Sequence, residues 1–171
     1  MTFFREDIGR AQLRDAFRYW ILIPSAVIAS GRTFDFLLAL PRLPGHARLI
    51  AGTSGLLLTT GLMLIWRAIH DLEVLGQGTP NPVRPPKRLV ISGSYALCRH
   101  PMFLGYDLAA LAVVLLCRSP GMLCFSLPLF FLWEIRSLQK EERILALRFR
   151  ADFQHYRHEV PFLLPLPFRH G

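Results

Sequence analysis

Leu49 to Trp66 is an uncharged run of apolar and small residues, long enough to cross or nearly cross the hydrocarbon core of a bilayer. Hydrocarbon offers no partner to an exposed N–H or C=O, so such a run must satisfy its own backbone as a helix. Three more apolar clusters accompany it. Tyr19 to Ser30 is extended by Phe34 to Leu40, Met102 to Cys117 follows later, and Pro120 to Trp133 comes last. The last two are joined only by Arg118 and Ser119, which reads as a tight helical hairpin. Hydrophobic residues make up 52% of the chain and mean hydropathy is +0.34, clustered rather than periodic. The expectation is an all-α integral membrane protein of one domain over residues 1–171. About four transmembrane helices fall near 19–40, 49–66, 102–117 and 120–133, with a cytoplasmic loop over 67–101 and an amphipathic helix and tail over 134–171. The first cluster, Tyr19 to Ser30, is the shortest of the four. Glu6, Asp7 and Asp15 lie among the first arginines and no small-residue cleavage site follows the first apolar run, so all spans are expected to be retained.

Charge orients the spans. Net charge is +8 and pI about 10.3, a balance that can indicate nucleic acid. Its location argues otherwise. Arg5, Arg10, Arg14 and Arg18 precede the first span, Arg67, Arg84, Lys87, Arg88 and Arg99 separate the second and third, and seven more cations from Arg136 to Arg169 follow the fourth. Only Arg32, Arg42, Arg48 and Arg118 fall on the opposite side. The positive-inside bias predicts a multi-pass protein of the cytoplasmic membrane with both termini and the long loop in the cytoplasm. Anionic lipid headgroups account for the basic excess. The aromatics sit within apolar spans instead of alternating with cations as base-stacking platforms do, so no nucleic-acid partner is expected.

The long loop is unusual. Gly76 to Gly105 reads GQGTPNPVRPPKRLVISGSYALCRHPMFLG. Prolines 80, 82, 85 and 86 fix φ and remove donors, giving a stiff, shaped path. That path delivers Arg99 and His100 to the membrane surface just before a helix start. Beyond Trp133, a charged helix is expected from Glu134 to Tyr156. Taking Leu138 as origin and about 100° per residue, Leu145, Phe149 and Tyr156 lie within about 20° and Phe153 at about 60°. Arg136, Lys140, Arg143 and Arg150 occupy the opposite, basic face. Glu142 falls at about 40°, inside the apolar stripe, with Glu134 at about −40° and Glu141 at the stripe's edge. A carboxylate aimed at a buried face is costly unless paired or functional. Glu142 either pairs with an arginine such as Arg99, stapling loop to helix, or binds a polar or cationic ligand between the helix and the Arg-His-Pro segment.

Other residues carry less. Cys98, Cys117 and Cys124 lack metal spacing and read as small apolar fillers. His70 reads as an interfacial polar residue. Gly52, Gly55 and Gly61 read as permitting close helix packing. His155 and His158 read as solvated. Asp107, inside the third span, is a functional candidate by the rarity of ionisable groups there, balanced against simple hydration or pairing. No metal site is expected.

The ordered pieces Gly78-Thr79-Pro80, Pro85-Pro86-Lys87, Leu89-Val90, Gly93, Tyr95, Arg99-His100-Pro101-Met102, Gly105, Glu141-Glu142, Leu145, Phe149, Tyr156 and Val160-Pro161 resemble the isoprenylcysteine carboxyl methyltransferase and phospholipid N-methyltransferase superfamily of integral membrane enzymes. The resemblance covers roughly the second half of the chain and the second span. Two positions depart from its pattern: Arg150 stands where a glycine usually follows the phenylalanine, and Phe153 where a tyrosine is common.

The resemblance implies an S-adenosylmethionine-dependent methyltransferase acting on a lipophilic small-molecule or lipidated acceptor among membrane lipids. The acceptor group, carboxylate, amine or thiol, stays open. On this reading Arg99, His100 and Glu142 carry the catalytic role. Tyr95, Arg99, His100, Pro101, Met102, Gly105, Glu141 and Glu142 hold the cofactor: the start of the third helix and Arg99 or His100 take its carboxylate, Glu141 or Glu142 its ribose or ammonium, and Tyr95 and Met102 its adenine. A nicotinamide-dependent membrane reductase of related architecture and a non-catalytic membrane scaffold are the other two classes.

Overall fold

The computed structural model describes residues 21–80 and 84–165. The start of the first span at Tyr19, the N-terminal arginines, Pro82 and Arg169 lie outside the described residues. Among the described residues the regular structure is entirely helical. Helix α1 spans Ile23–Leu37, α2 Ala47–Val74, α3 Pro101–Cys117 and α4 Leu127–Glu159. A 3-10 turn occupies Gly93–Ala96, and a π turn at Met122–Ser126 leads into α4.

α2 is 28 residues long, about 42 Å at the usual rise. By length and composition it alone among the described helices suffices to cross a membrane, whereas α3 is apolar but shorter. Its Leu49, Leu56 and Met63, spaced by seven, are each more than two-thirds exposed. An uncovered apolar stripe of this kind suits hydrocarbon, not water. α1, at 15 residues, is likewise short.

The hairpin expected at Arg118 and Ser119 is present. Arg118 closes α3 in the left-handed region, at φ 50°. Its Nε donates to Leu43 O at 2.7 Å, while Leu43 N donates to Arg118 O at 3.0 Å. Asp35 of α1 then caps the helix that follows, accepting from Ser119 Oγ at 2.5 Å and Gly121 N at 2.7 Å. Free N–H groups at a helix start need such an acceptor. The loop after α1 and the α3–α4 turn are thus tied at one end of the molecule.

Close crossings use particular glycines. A Cβ on Gly61 would lie 2.5 Å from Gly105 O, and one on Gly105 would lie 2.6 Å from Gly61 O. Backbones of α2 and α3 therefore touch there. Gly31 and Gly121 do the same where α1 meets the start of the fourth helix. Gly52 and Gly55 do not serve the packing role expected of them among the described residues, where a Cβ on either would meet nothing within 4 Å. They lie on open stretches of α2. The cysteines also divide: Cys98 is fully buried, Cys117 intermediate and Cys124 exposed, so the filler reading fits Cys98 and fails for Cys124.

The fourth span and the charged C-terminal helix are one element, α4, because no breaker separates Trp133 from Glu134. The break comes later, at Arg150, whose φ of 45° and ψ of −115° are not helical. The expected apolar stripe survives this kink. Leu138, Phe153 and Tyr156 are buried, and Leu145 and Phe149 pack with Leu89 against Phe153, Tyr156 and Val160.

Candidate functional site

The site is built on the loop between α2 and α3. Gly76 O accepts from Lys87 N and Arg88 N at 2.8 and 3.3 Å, and Thr79 N donates to Arg84 O at 2.8 Å. Gly78 lies flat on the Pro85–Pro86 backbone, where a Cβ would come within 2.4 Å. The proline-rich stretch therefore folds back upon itself as a closed, stiff flap. Farther along, Asp71 near the end of α2 accepts from both Ser94 N and Ser94 Oγ at 2.7 Å. Gly93, at φ 67°, passes so close to that carboxylate that a Cβ would sit 2.5 Å from Oδ2. This anchor sets the 3-10 turn, and with it Tyr95, whose carbonyl accepts from Tyr156 Oη at 2.7 Å. Burial raises the Tyr95 and Tyr156 phenols well above their ordinary range, keeping both neutral. Cys98 behind them is pushed up to about 11 by burial, which leaves it an unreactive thiol.

Arg99 holds the loop to α4. Its Nε donates to Glu142 Oε1 at 2.7 Å, and its Nη1 donates to Arg157 O at 2.8 Å and Val160 O at 2.9 Å. Its own backbone N–H donates to Pro161 O at 2.9 Å. The guanidinium also lies 5.6 Å from the centre of the Phe162 ring. The last carbonyls of α4 lack helical partners, and an arginine fork satisfies them well. Burial disfavours charge on Glu142, but the adjoining His100 ring and Arg99 guanidinium outweigh it and hold the carboxyl below its usual range. The staple weighed from sequence is therefore present.

His100 is placed differently. It is buried, edge-on to Phe162 with ring centres 4.9 Å apart. Its Nε2 is 3.4 Å from Glu142 Oε1, but the approach is too long or too oblique for a hydrogen bond, and Nε2 lacks a partner. It precedes Pro101, the first residue of α3, and no side chain caps the donors of that turn.

These groups face one cavity of about 900 Å³, open on one side and bordered by the flap, α2, α3 and α4. That is within the range that buries a small organic ligand. Tyr95, Arg99, His100, Met102, Glu141 and Glu142 line it. Pro101 and Gly105 do not: Pro101 is fully buried behind the wall, and Gly105 is spent on the crossing with Gly61. Desolvation by the cavity walls raises the Glu141 carboxyl, with His100 opposing and the Glu142 charge adding to the rise. The sequence reading missed Glu73, Arg88, Tyr106, Ser137 and Arg148, which also line the cavity. It also assigned Lys140 to the outward basic face, yet Lys140 stands at the cavity rim. Glu73 sits two residues beyond Asp71 on the α2 end that carries the flap, and that continuity was the available signal. Lys140, one residue before Glu141, shares its edge of the helix.

Glu134 and Asp107 lie outside the cavity lining. His70 stacks on Trp66 at 5.7 Å and is exposed, in keeping with an interfacial role. His155 is exposed and pairs with Glu159 at 3.2 Å. Among the described residues no cluster of metal-ligating side chains is present.

The protein-family model described as "Isoprenylcysteine carboxyl methyltransferase (ICMT) family" matches residues 56–147, more than half of the chain. The match includes α2 from Leu56 onward, the flap, the Arg-His-Pro segment, α3 and α4 through Glu141 and Glu142. Methanethiol S-methyltransferase 2 of Bradyrhizobium diazoefficiens is 33% identical over 108 residues, covering 63% of this chain and 37% of that protein. The match thus spans little more than a third of its relative's length. No solved structure matches significantly. With the flap, the Arg-His-Pro helix start and the paired glutamates all inside the matched segment, the chain belongs to the isoprenylcysteine carboxyl methyltransferase family.

Proposed function

We propose that the chain is an S-adenosylmethionine-dependent methyltransferase of the membrane, acting on a lipophilic acceptor, with the flap and both termini on the cytoplasmic side. The observation that carries this reading is the cavity itself. It is amphiphilic and bordered by a stiff flap, and it sets cations (Arg88, Lys140, Arg148) and acids (Glu73, Glu141) around apolar walls such as Met102, Leu89 and Phe149. A zwitterionic, sulfonium-bearing nucleoside needs that mixture. The bound cofactor would supply an activated methyl group.

The residues divide the work. The uncapped first turn of α3 offers backbone donors suited to the cofactor carboxylate, with His100 of the cavity wall immediately before it. Glu141, on the open side of the cavity, suits an ammonium or a ribose diol. Tyr95 and Met102 suit the base. Arg99 and Glu142 act as positioning residues that hold the flap on α4. Methyl transfer from a sulfonium asks for alignment and exclusion of water more than for acid–base help, and a flap pinned at Asp71, Gly76 and Arg99 provides both. The acceptor would enter past Ile69 and Ile144, apolar residues of the cavity wall.

Calorimetry of the purified protein in detergent, with S-adenosylhomocysteine and NADPH titrated separately, tests the reading. One-to-one binding of S-adenosylhomocysteine alone is expected. Binding of NADPH alone transfers the site to reductase chemistry, and binding of neither leaves a scaffold.

A further inference from the structure

Glu134 is 1% exposed, yet neither of its carboxyl oxygens meets an N–H or hydroxyl donor. The carboxyl facing it belongs to Asp107, close enough for the two to share a proton, and Asp107 Oδ1 is likewise buried away from any N–H or hydroxyl donor. No cationic side chain meets either group among the described residues. A pair holding one proton keeps a net negative charge in an apolar interior, and such a charge is retained only when something compensates it.

The pair is next to the cavity. Tyr106 and Phe103 of α3 and Ser137 of α4 line it. Asp107 follows Tyr106 and lies one turn beyond Phe103, while Glu134 lies one turn before Ser137. Along its own helix axis, Asp107 thus lies about 1.5 Å and Glu134 about 4.5 Å beyond the last lining residue. Asp107 is only half-buried, so the pair keeps an approach for a ligand. The missing compensation is a cation that arrives from outside the chain, at the depth where a lipophilic molecule's polar head would stop.

We propose that Asp107 and Glu134 form a subsite for the ammonium group of a long-chain amine, the acceptor of the site described above. The name "acceptor" rests on the methyltransferase reading; the binding of the amine does not. An ammonium held between the two carboxyls can give one proton to the pair. An N–H bond breaks, an O–H bond forms on the carboxyl, and the nitrogen lone pair is freed for alkylation. A thiolate or carboxylate acceptor would be repelled by the same pair, so the subsite also discriminates between acceptor classes.

Cofactor-free protein in neutral detergent, titrated with dodecylamine, dodecanol and dodecanethiol, provides the test. The three probes share a chain and differ in the head. A charge-assisted contact in a dry site predicts that the amine binds about ten- to a hundredfold more tightly than the alcohol. Glu134→Gln and Asp107→Asn should each abolish that preference, leaving alcohol and thiol binding and cofactor-product binding unchanged. Both variants remove a buried charge and should fold, as a melting curve will show, and either one suffices if the other does not. Equal binding of amine and alcohol by the unaltered protein overturns the proposal. So does a preference for the amine that persists in the folded variants. Because no probe requires the cofactor, failure of S-adenosylhomocysteine to bind would count against the methyltransferase reading alone.

Discussion

At the scale of single residues, Glu142 and Arg99 show how far one helix phase can be read. A 100° advance from Leu138 put Glu142 in an apolar stripe, and it is buried at 7% exposure. What the phase could not supply was the partner's full set of bonds. Arg99 reaches the carbonyls of Arg157 and Val160 only because the chain leaves α4 there and turns back across the loop. That turn depends on tertiary packing of Tyr156 and Val160. Breaking a buried, hydrogen-bonded ion pair by removing one member costs about 3–5 kcal/mol. Arg99→Ala should therefore lower the melting temperature sharply, and Glu142→Gln less, since its amide still accepts from Nε. His100→Ala should leave the melting temperature close to that of the unaltered protein and weaken S-adenosylhomocysteine binding about ten- to a hundredfold. Thermal melts and calorimetry on the three variants separate staple from ligand contact. If His100→Ala melts as early as Arg99→Ala, the histidine belongs to the staple. The pH dependence has a definite sign. Glu142 has its folded pKa held below 4.5, so its contribution is fully present above that value and is lost as pH falls through the depressed folded value. Glu142→Gln should remove that acid-side loss from the stability profile.

At the scale of elements, the apolar runs marked where helices lie but not where they join or bend. Sequence clusters ended at Trp133 because charge begins there, while the backbone ladder, indifferent to charge, continues to Glu159. The bend falls instead at Arg150, where the family pattern has glycine. Its φ of 45° and ψ of −115° explain that preference: an L side chain is strained there and glycine is not. Arg150→Gly should raise stability by about 1 kcal/mol, the scale of one strained residue, and Arg150→Val should lower it. A gain from valine would mean that the bend is not held in solution. Glycines on α2 divide in the same way. Composition made Gly52, Gly55 and Gly61 equivalent, whereas only Gly61 faces a backbone. Gly61→Leu should cost roughly 1–3 kcal/mol by overpacking. Gly52→Ala should gain a few tenths to about 1 kcal/mol of helix stability. Urea or thermal denaturation of the two variants in detergent distinguishes them by opposite signs.

At the scale of the whole molecule, two sets of contacts mark two ends. One joins Leu43 to Arg118 and Asp35 to Ser119 and Gly121. The other joins the flap to α4 through Arg99, Glu142, Val160 and Pro161. α2 runs between them for about 42 Å, enough to separate the two ends by a bilayer. The cation count predicts their sides: sixteen arginines and lysines belong to the segments expected on the flap side, and four to those expected on the other. The sequence thus carries an expectation of orientation. The pairing of the ends was not legible there, because it rests on contacts across long separations that no local pattern encodes. The arrangement predicts that single cysteines introduced at Arg42 and Arg118 label from one face of an intact vesicle, and those at Lys87 and His158 from the other. The background should lack Cys117 and Cys124, while Cys98, buried and with its thiol pushed up to about 11, can remain because it will not react. Labelling at Lys87 and His158 from the cytoplasmic face, with Arg42 and Arg118 protected until the vesicle is opened, is the expected result. If Arg118 and Lys87 label together from one side, the helices lie in or on the membrane instead of across it. The cavity would then open to a different solvent from the one its flap is built to exclude.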